Sequence, residues 1–397
     1  MPSPFDEVIP RKGTDSFKYD MLKAVFGADD LLPMWVADMD FRTPPCVLKS
    51  IQQTLEHGIL GYTAVPQQYA ASIQRWLLHR HHWQVEDAEI GFVAGVVHAI
   101  AQAVATFSEP GDKILVQTPV YHPFMLVPEE LGREIVINRL LYKNSRFEID
   151  FASLEAQLDG CRILILCNPH NPGGRVWLPS ELEAIASLCA RAGVLVISDE
   201  IHADLTLHRH CHTPFAKVSE EAANNCLTLM APSKTFNMAG LASSFYVAQN
   251  PVIRKKFRQT LKAAECAHGH MLAYTTTQAA FDHGEPWLEE VLSYIEDNFA
   301  MATEYIATHL PQLSVMQPEA SFLLWINFEK LGMNPDDLHA FLVQKAKLAF
   351  NRGDQFGPGG EGWARMNIGC PRSVVKEALE RLKRAIDSQC NNLTPTI

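Results

Sequence analysis

From about residue 90 the chain alternates short apolar runs with longer segments whose apolar residues recur every three or four positions. The runs 92–94, 113–117, 134–140, 162–167, 194–198 and 226–230 read as buried strands. The segments between them read as helices. One is entered from Gly95 and carried by Val97, Ile100, Val104 and Phe107, and others span 123–131, 151–158 and 179–192. The last of these opens with Glu181 and Glu183, where acidic groups suit the helix dipole. Strands alternating with helices predict an α/β fold: a mostly parallel sheet covered on both faces.

Ahead of this region the pattern predicts helices over 47–57, stopped by Gly58, and over 69–82, amphipathic through Ile73, Trp76 and Leu77. Residues 1–46 read as an irregular arm. Beyond Gly284-Glu285-Pro286 the texture changes to a long helix (287–309), a strand (321–328), a helix (335–345) and a strand (348–351). A glycine-rich turn over 357–362, a strand over 363–368 and a final helix over 373–389 complete the chain. The expected organisation is an arm (1–46) that joins a small α+β domain (285–397), with a large α/β domain (47–284) between them.

At 397 residues, 47% hydrophobic and 20% charged, the composition is that of an ordinary globular protein. The net charge of −11 argues against a nucleic-acid partner and against an anionic membrane surface. The polar, proline-containing first ten residues do not resemble a signal peptide, and no apolar run approaches the roughly 20 residues of a membrane span. A cytoplasmic location is expected. Nine scattered cysteines without a CxxC read as small buried hydrophobes in a reducing compartment. The histidines at 79, 81 and 82 and at 208, 210 and 212 raise the question of a metal. A solvated polar loop is the favoured reading, because no cysteine or acidic ligand stands at metal-site spacing.

Three of the apolar runs end in polar groups: Asn171 within Asn168-Pro169-His170-Asn171-Pro172, Asp199 before Glu200-Ile201-His202, and Lys234 within Ala231-Pro232-Ser233-Lys234-Thr235-Phe236-Asn237. In open α/β sheets ligands bind outside the carboxyl ends of the strands, which would gather these residues. Each has an ordinary alternative: a cap for Asp199, a turn for Asn171, a snorkelling surface lysine for Lys234. Together they match the needs of pyridoxal 5′-phosphate (PLP). Its aldehyde takes an amine (Lys234), and its ring nitrogen takes a carboxylate (Asp199) that keeps the ring an electron sink. Asn171 and His202 can reach its 3′-oxygen, and Tyr121 can cover the ring. The start of the helix after Gly95, at Val96 and Val97, can hold its phosphate with help from Ser233.

These motifs resemble those of fold-type I PLP enzymes, the aspartate aminotransferase superfamily, and within it the MalY/PatB group of cystathionine β-lyases. The resemblance spans nearly the whole chain. It rests further on Leu32-Pro33-Met34-Trp35-Val36-Ala37-Asp38-Met39-Asp40-Phe41, on Gly61-Tyr62, and on Arg365-Met366-Asn367-Ile368-Gly369-Cys370-Pro371-Arg372. It implies that Arg365 grips the substrate α-carboxylate, with Ala37 lining that pocket and Trp35 its entrance. It also implies a homodimer in which Tyr62 reaches the phosphate in the neighbouring active site. Two positions depart from the wider pattern: Ala231 stands where many relatives have serine, and Ala242 where many aminotransferases have a phosphate-binding arginine. The implied reaction is β-elimination: Lys234 removes the α-proton of an amino-acid substrate, a thiolate leaves the β-carbon, and pyruvate and ammonia follow. Transamination through the same residues, and a regulatory role that keeps PLP as a structural ligand, stay open at this level.

Overall fold

The computed structural model describes residues 3–207 and 209–392, so His208 and the side chain of Cys390 lie outside the described residues. Seven strands form the central sheet: β1 (Ile90–Val93), β2 (Lys113–Thr118), β3 (Glu134–Arg139), β4 (Cys161–Cys167), β5 (Leu195–Asp199), β6 (Cys226–Met230) and β7 (Ser244–Val247). Their order is β1-β7-β6-β5-β4-β2-β3. Strands β2 to β6 pair in parallel, while β7 runs antiparallel to both β6 and β1. The inner parallel strands are mostly apolar because both faces are covered, while the edge strand β3 (Glu134–Arg139) is half polar. Ile114 and Val116 join a core with helix Val96–Phe107, and Leu115 between them faces the other core.

Six of these strands follow the apolar runs to within two residues; β7 does not stand out in the sequence. It has only four residues, and its place is set by pairing on both sides. Helices Pro251–Ala263 and Met271–His283 are also not among the elements expected from the sequence, although the first is amphipathic through Phe257 and Leu261. The second contains Thr275-Thr276-Thr277, β-branched residues of low helix propensity. Their hydroxyls bond to carbonyls one turn back, Thr276 to Leu272 O at 2.6 Å and Thr277 to Ala273 O at 2.7 Å.

A smaller antiparallel sheet holds β8 (Ser314–Val315), β9 (Leu323–Asn327), β10 (Asn351–Arg352) and β11 (Trp363–Asn367), in the order β8-β9-β11-β10. The strand expected over 348–351 divides at buried Phe350. Leu348–Ala349 pairs in parallel with Leu32–Pro33 of the arm, and Asn351 pairs with Arg365 on β11. The arm is therefore tied to the segment that carries Arg365. The helix expected over 335–345 is α-helical only to Ala340 and then widens into a π turn over Phe341–Lys345.

The histidine clusters are not simply a solvated loop. His81 and His212 are buried and bond to Asp204 (2.8 Å) and Glu200 (2.7 Å). No group of three metal-ligating side chains occurs among the described residues. All eight described cysteines are free, and five of them are buried. No described helix is long and apolar enough to cross a membrane.

Candidate active site

The polar residues that end the strands meet at one edge of the sheet. Strand β4 delivers Asn171, β5 delivers Asp199 and His202, and β6 leads into the single turn Pro232–Thr235 that carries Ser233 and Lys234. The segment after β2 brings Tyr121, and β1 leads into Val96 and Val97. All of these line one cavity of about 960 Å³, together with Trp35 and Ala37 from the arm and Arg365 from β11. Among the candidate cofactor- and substrate-binding residues, Tyr62 lies elsewhere: it is fully exposed, in a segment without regular structure.

Lys234 Nζ donates to Ala37 O at 2.6 Å. Burial lowers its ammonium to about 8; Asp38 opposes this, Arg365 assists, and Asp199 opposes. Asp199 is pushed up to about 7 by burial, against the Ile201 N–H that bonds to its Oδ1 at 3.0 Å. A carboxylate so desolvated gains most from a cationic N–H donor. Burial lowers His202 to about 3, so its imidazole is neutral, and its Nδ1 has no hydrogen-bond partner. These groups fit PLP: a nucleophilic amine, an acceptor for a protonated ring nitrogen, and a neutral imidazole beside Asn171. The helix Val96–Phe107 begins after Gly95, which places no side-chain cap on it, so its first N–H groups suit a phosphate.

Arg365 is held in a fixed direction. Nη1 donates to Asn171 Oδ1 (3.0 Å), and Nη2 donates to Asn351 Oδ1 (2.7 Å) and to Trp35 O (3.1 Å). Its guanidinium lies over the Phe356 ring, 5.0 Å from the centroid. Burial lowers it to about 10, so it is a cation at neutral pH with no acid among its bonded partners. An incoming carboxylate supplies that counter-charge. Trp35 packs between Phe17 and Phe26, with ring centroids 5.4 and 5.3 Å away, at one wall of the cavity.

The sequence reading gave no role to the residues that fix the arm here. Asn367 Nδ2 donates to Val36 O and Asp38 O, both at 2.6 Å. Asn237 bonds to the backbone of Met39 in both directions, at 3.0 Å each, and to Phe41 O at 2.7 Å. Fully buried Lys18 bonds to Asp40 (2.7 Å), and Arg11 bridges Asp38 and Asp40 at 2.6 Å each. Asparagine three residues after the lysine and two after the arginine was the available signal. Asn351 and Ser243, also on the cavity wall, carried none. Beneath the lysine turn, buried Asp204 accepts from Thr235 (2.8 Å), Trp76 (3.0 Å) and His81 (2.8 Å).

The chain is similar over nearly its whole length to other proteins. It is 42% identical to cystathionine β-lyase PatB of Bacillus subtilis, over 96% of this chain and 99% of that protein. It is 32% identical to protein MalY of Escherichia coli, over 96% and 98%. Its fold superposes on cystalysin from Treponema denticola, a structure containing pyridoxal 5′-phosphate, with a TM-score of 0.95, 33% identity, and coverage of 98% and 100%. The family model for aminotransferase class I and II matches residues 29–382. With strand ends, helix start and arginine arranged as that match requires, the chain belongs to the aminotransferase class I and II family.

Proposed function

We propose that this protein is a PLP-dependent carbon–sulfur β-lyase. It would convert L-cystathionine and related cysteine S-conjugates, with one water, to a thiol, pyruvate and ammonia, the water entering when the three-carbon enamine left by elimination is hydrolysed. The observation that carries this reading is the meeting of Lys234, Asp199, Asn171, His202 and Arg365 on one cavity at the carboxyl edge of the sheet. The names of PatB and cystalysin's cofactor support it.

PLP, when bound, supplies an aldehyde for the substrate amine and a ring that accepts electrons. The chain supplies the rest. Arg365 holds the α-carboxylate, and its bonds to Asn171 and Asn351 fix the direction of the grip. Asp199 keeps a proton on the ring nitrogen. Lys234 Nζ, with its ammonium lowered to about 8, accepts the Cα proton at neutral pH and returns a proton to the departing sulfur. The clamped arm and Trp35 shield the reacting atoms from water.

The reading extends to a homodimer. Tyr62, Ile59, Leu60 and Val65 all face outward in the irregular segment 58–66. A second copy would cover this apolar strip and take Tyr62 to the phosphate of the neighbouring site. The proposal keeps the division at 1–46, 47–284 and 285–397, and a cytoplasmic setting, in which free cysteines persist. The test is to mix PLP-loaded protein with L-cystathionine and measure pyruvate and free thiol together. Equal amounts of both without added keto acid are expected. Product that appears only with a keto-acid acceptor would mean transamination instead.

A further inference from the structure

The phosphate of PLP carries close to two negative charges, yet among the described residues no lysine or arginine on the cavity wall is spare for it. Lys234, Arg352 and Arg365 are the lysines and arginines on its wall. Arg365 is placed for the substrate and Lys234 for the aldehyde. Arg352 is neutralised by Asp336 (2.8 Å) and Asp354 (2.7 Å). Position 242, where an arginine would reach in, is Ala242, and position 231 is Ala231. The anion then depends on donors other than lysine and arginine.

One such donor stands beside the helix start. Strand β7 pairs antiparallel with β1, Ser244 opposite Val93, so that Ser243 falls beside Ala94, the residue before Gly95. Ser243 is 1% exposed, and its hydroxyl has no hydrogen-bond partner. It lines the same cavity as Gly95, Val96, Val97 and Ser233. A buried hydroxyl without a partner costs stability unless a ligand satisfies it. The uncapped helix start next to it favours an anionic ligand. We propose that Ser243 donates its hydroxyl hydrogen to the phosphate of PLP. With the first N–H groups of helix Val96–Phe107, it does the anchoring that an arginine at position 242 would otherwise do. The inference rests on the PLP reading above.

The test compares PLP with pyridoxal, which lacks the phosphate, on cofactor-free wild type, Ser243→Ala and Ser243→Thr, followed by the visible absorbance of the lysine-bound form. Ser243→Ala is expected to weaken PLP by about tenfold or more, the loss of one hydrogen bond to a charged group, and to leave pyridoxal affinity within about twofold. Ser243→Thr keeps the hydroxyl and is expected to restore PLP affinity. Equal weakening toward both compounds would assign Ser243 a purely structural role and overturn the inference, as would unchanged PLP affinity in Ser243→Ala. Wild type that takes up neither compound would overturn the PLP reading and this inference with it. Wild type that binds PLP beside an indifferent Ser243→Ala overturns this inference alone.

Discussion

Cofactor-free protein mixed with PLP across a pH series should reveal a lysine that becomes nucleophilic well below the usual range. Burial lowers the Lys234 ammonium from 10.5 to about 8. At pH 7 about one such amine in eleven is neutral, against about one in 3,000 for a lysine titrating at 10.5, an advantage of about 300-fold. The neutral amine is the nucleophile, so covalent capture should rise about tenfold per pH unit up to 7, bend near 8 and level off above it. The second ionisation of a phosphate, near 6, lies below that window. Stopped-flow absorbance reads the rate, and Lys234→Ala, lacking the amine, supplies the blank. The neighbours set the sign of two further shifts. Asp38 favours the ammonium, so Asp38→Asn should move the bend lower; Arg365 disfavours it, so Arg365→Gln should move it higher. A rate still climbing tenfold per pH unit between 8 and 10 would refute the argument, as would variants that bend where wild type does.

Lys234→Ala should lower turnover by about 10⁴-fold or more while PLP still binds non-covalently, measured by pyruvate release and by retained cofactor after gel filtration. Arg365→Leu should raise KM for amino-acid substrates by about 100-fold or more and leave the cofactor spectrum in place, because a two-pronged charged contact is lost at the substrate. Asp204→Asn should destabilise the protein by about 1–3 kcal/mol, read as a lower urea midpoint. Burial opposes the charge on Asp204, but the hydrogen bonds from His81 and Thr235 outweigh it and hold the carboxyl below its ordinary value; burial lowers His81 as well, so at neutral pH its neutral imidazole is the donor. Its contribution is therefore present at neutral pH and fades as pH falls below about 4, so wild type and Asp204→Asn should converge in stability under acid.

The runs of apolar residues made most of the large sheet legible, because parallel strands covered on both faces are mostly apolar. Residues that end such strands in polar groups are conspicuous for the same reason. That is why Asn171, Asp199 and Lys234 could be read from sequence, and why the carboxyl-edge rule could bring them together before any coordinates. Arg365 was reached by its motif alone, since an arginine in a short strand is unremarkable in the pattern.

What stayed hidden depended on partners distant in sequence. Strand β7 is defined by β6 and β1, and Ser243 stands beside the helix start only because that pairing exists. Asn237 and Asn367 look like turn residues until the arm is laid across them, 198 and 331 positions away. His81 and His212 read as exposed polar residues because imidazole is common on surfaces; their burial follows from Asp204 and Glu200, which supply the hydrogen bonds that make it tolerable. Local pattern determined which segments become strands and which residues can do chemistry. The tertiary structure alone decided which backbone carbonyl meets Lys234, which amides aim Arg365, and which hydroxyl is left free beside the helix start, because each depends on contacts made after the chain has folded back on itself.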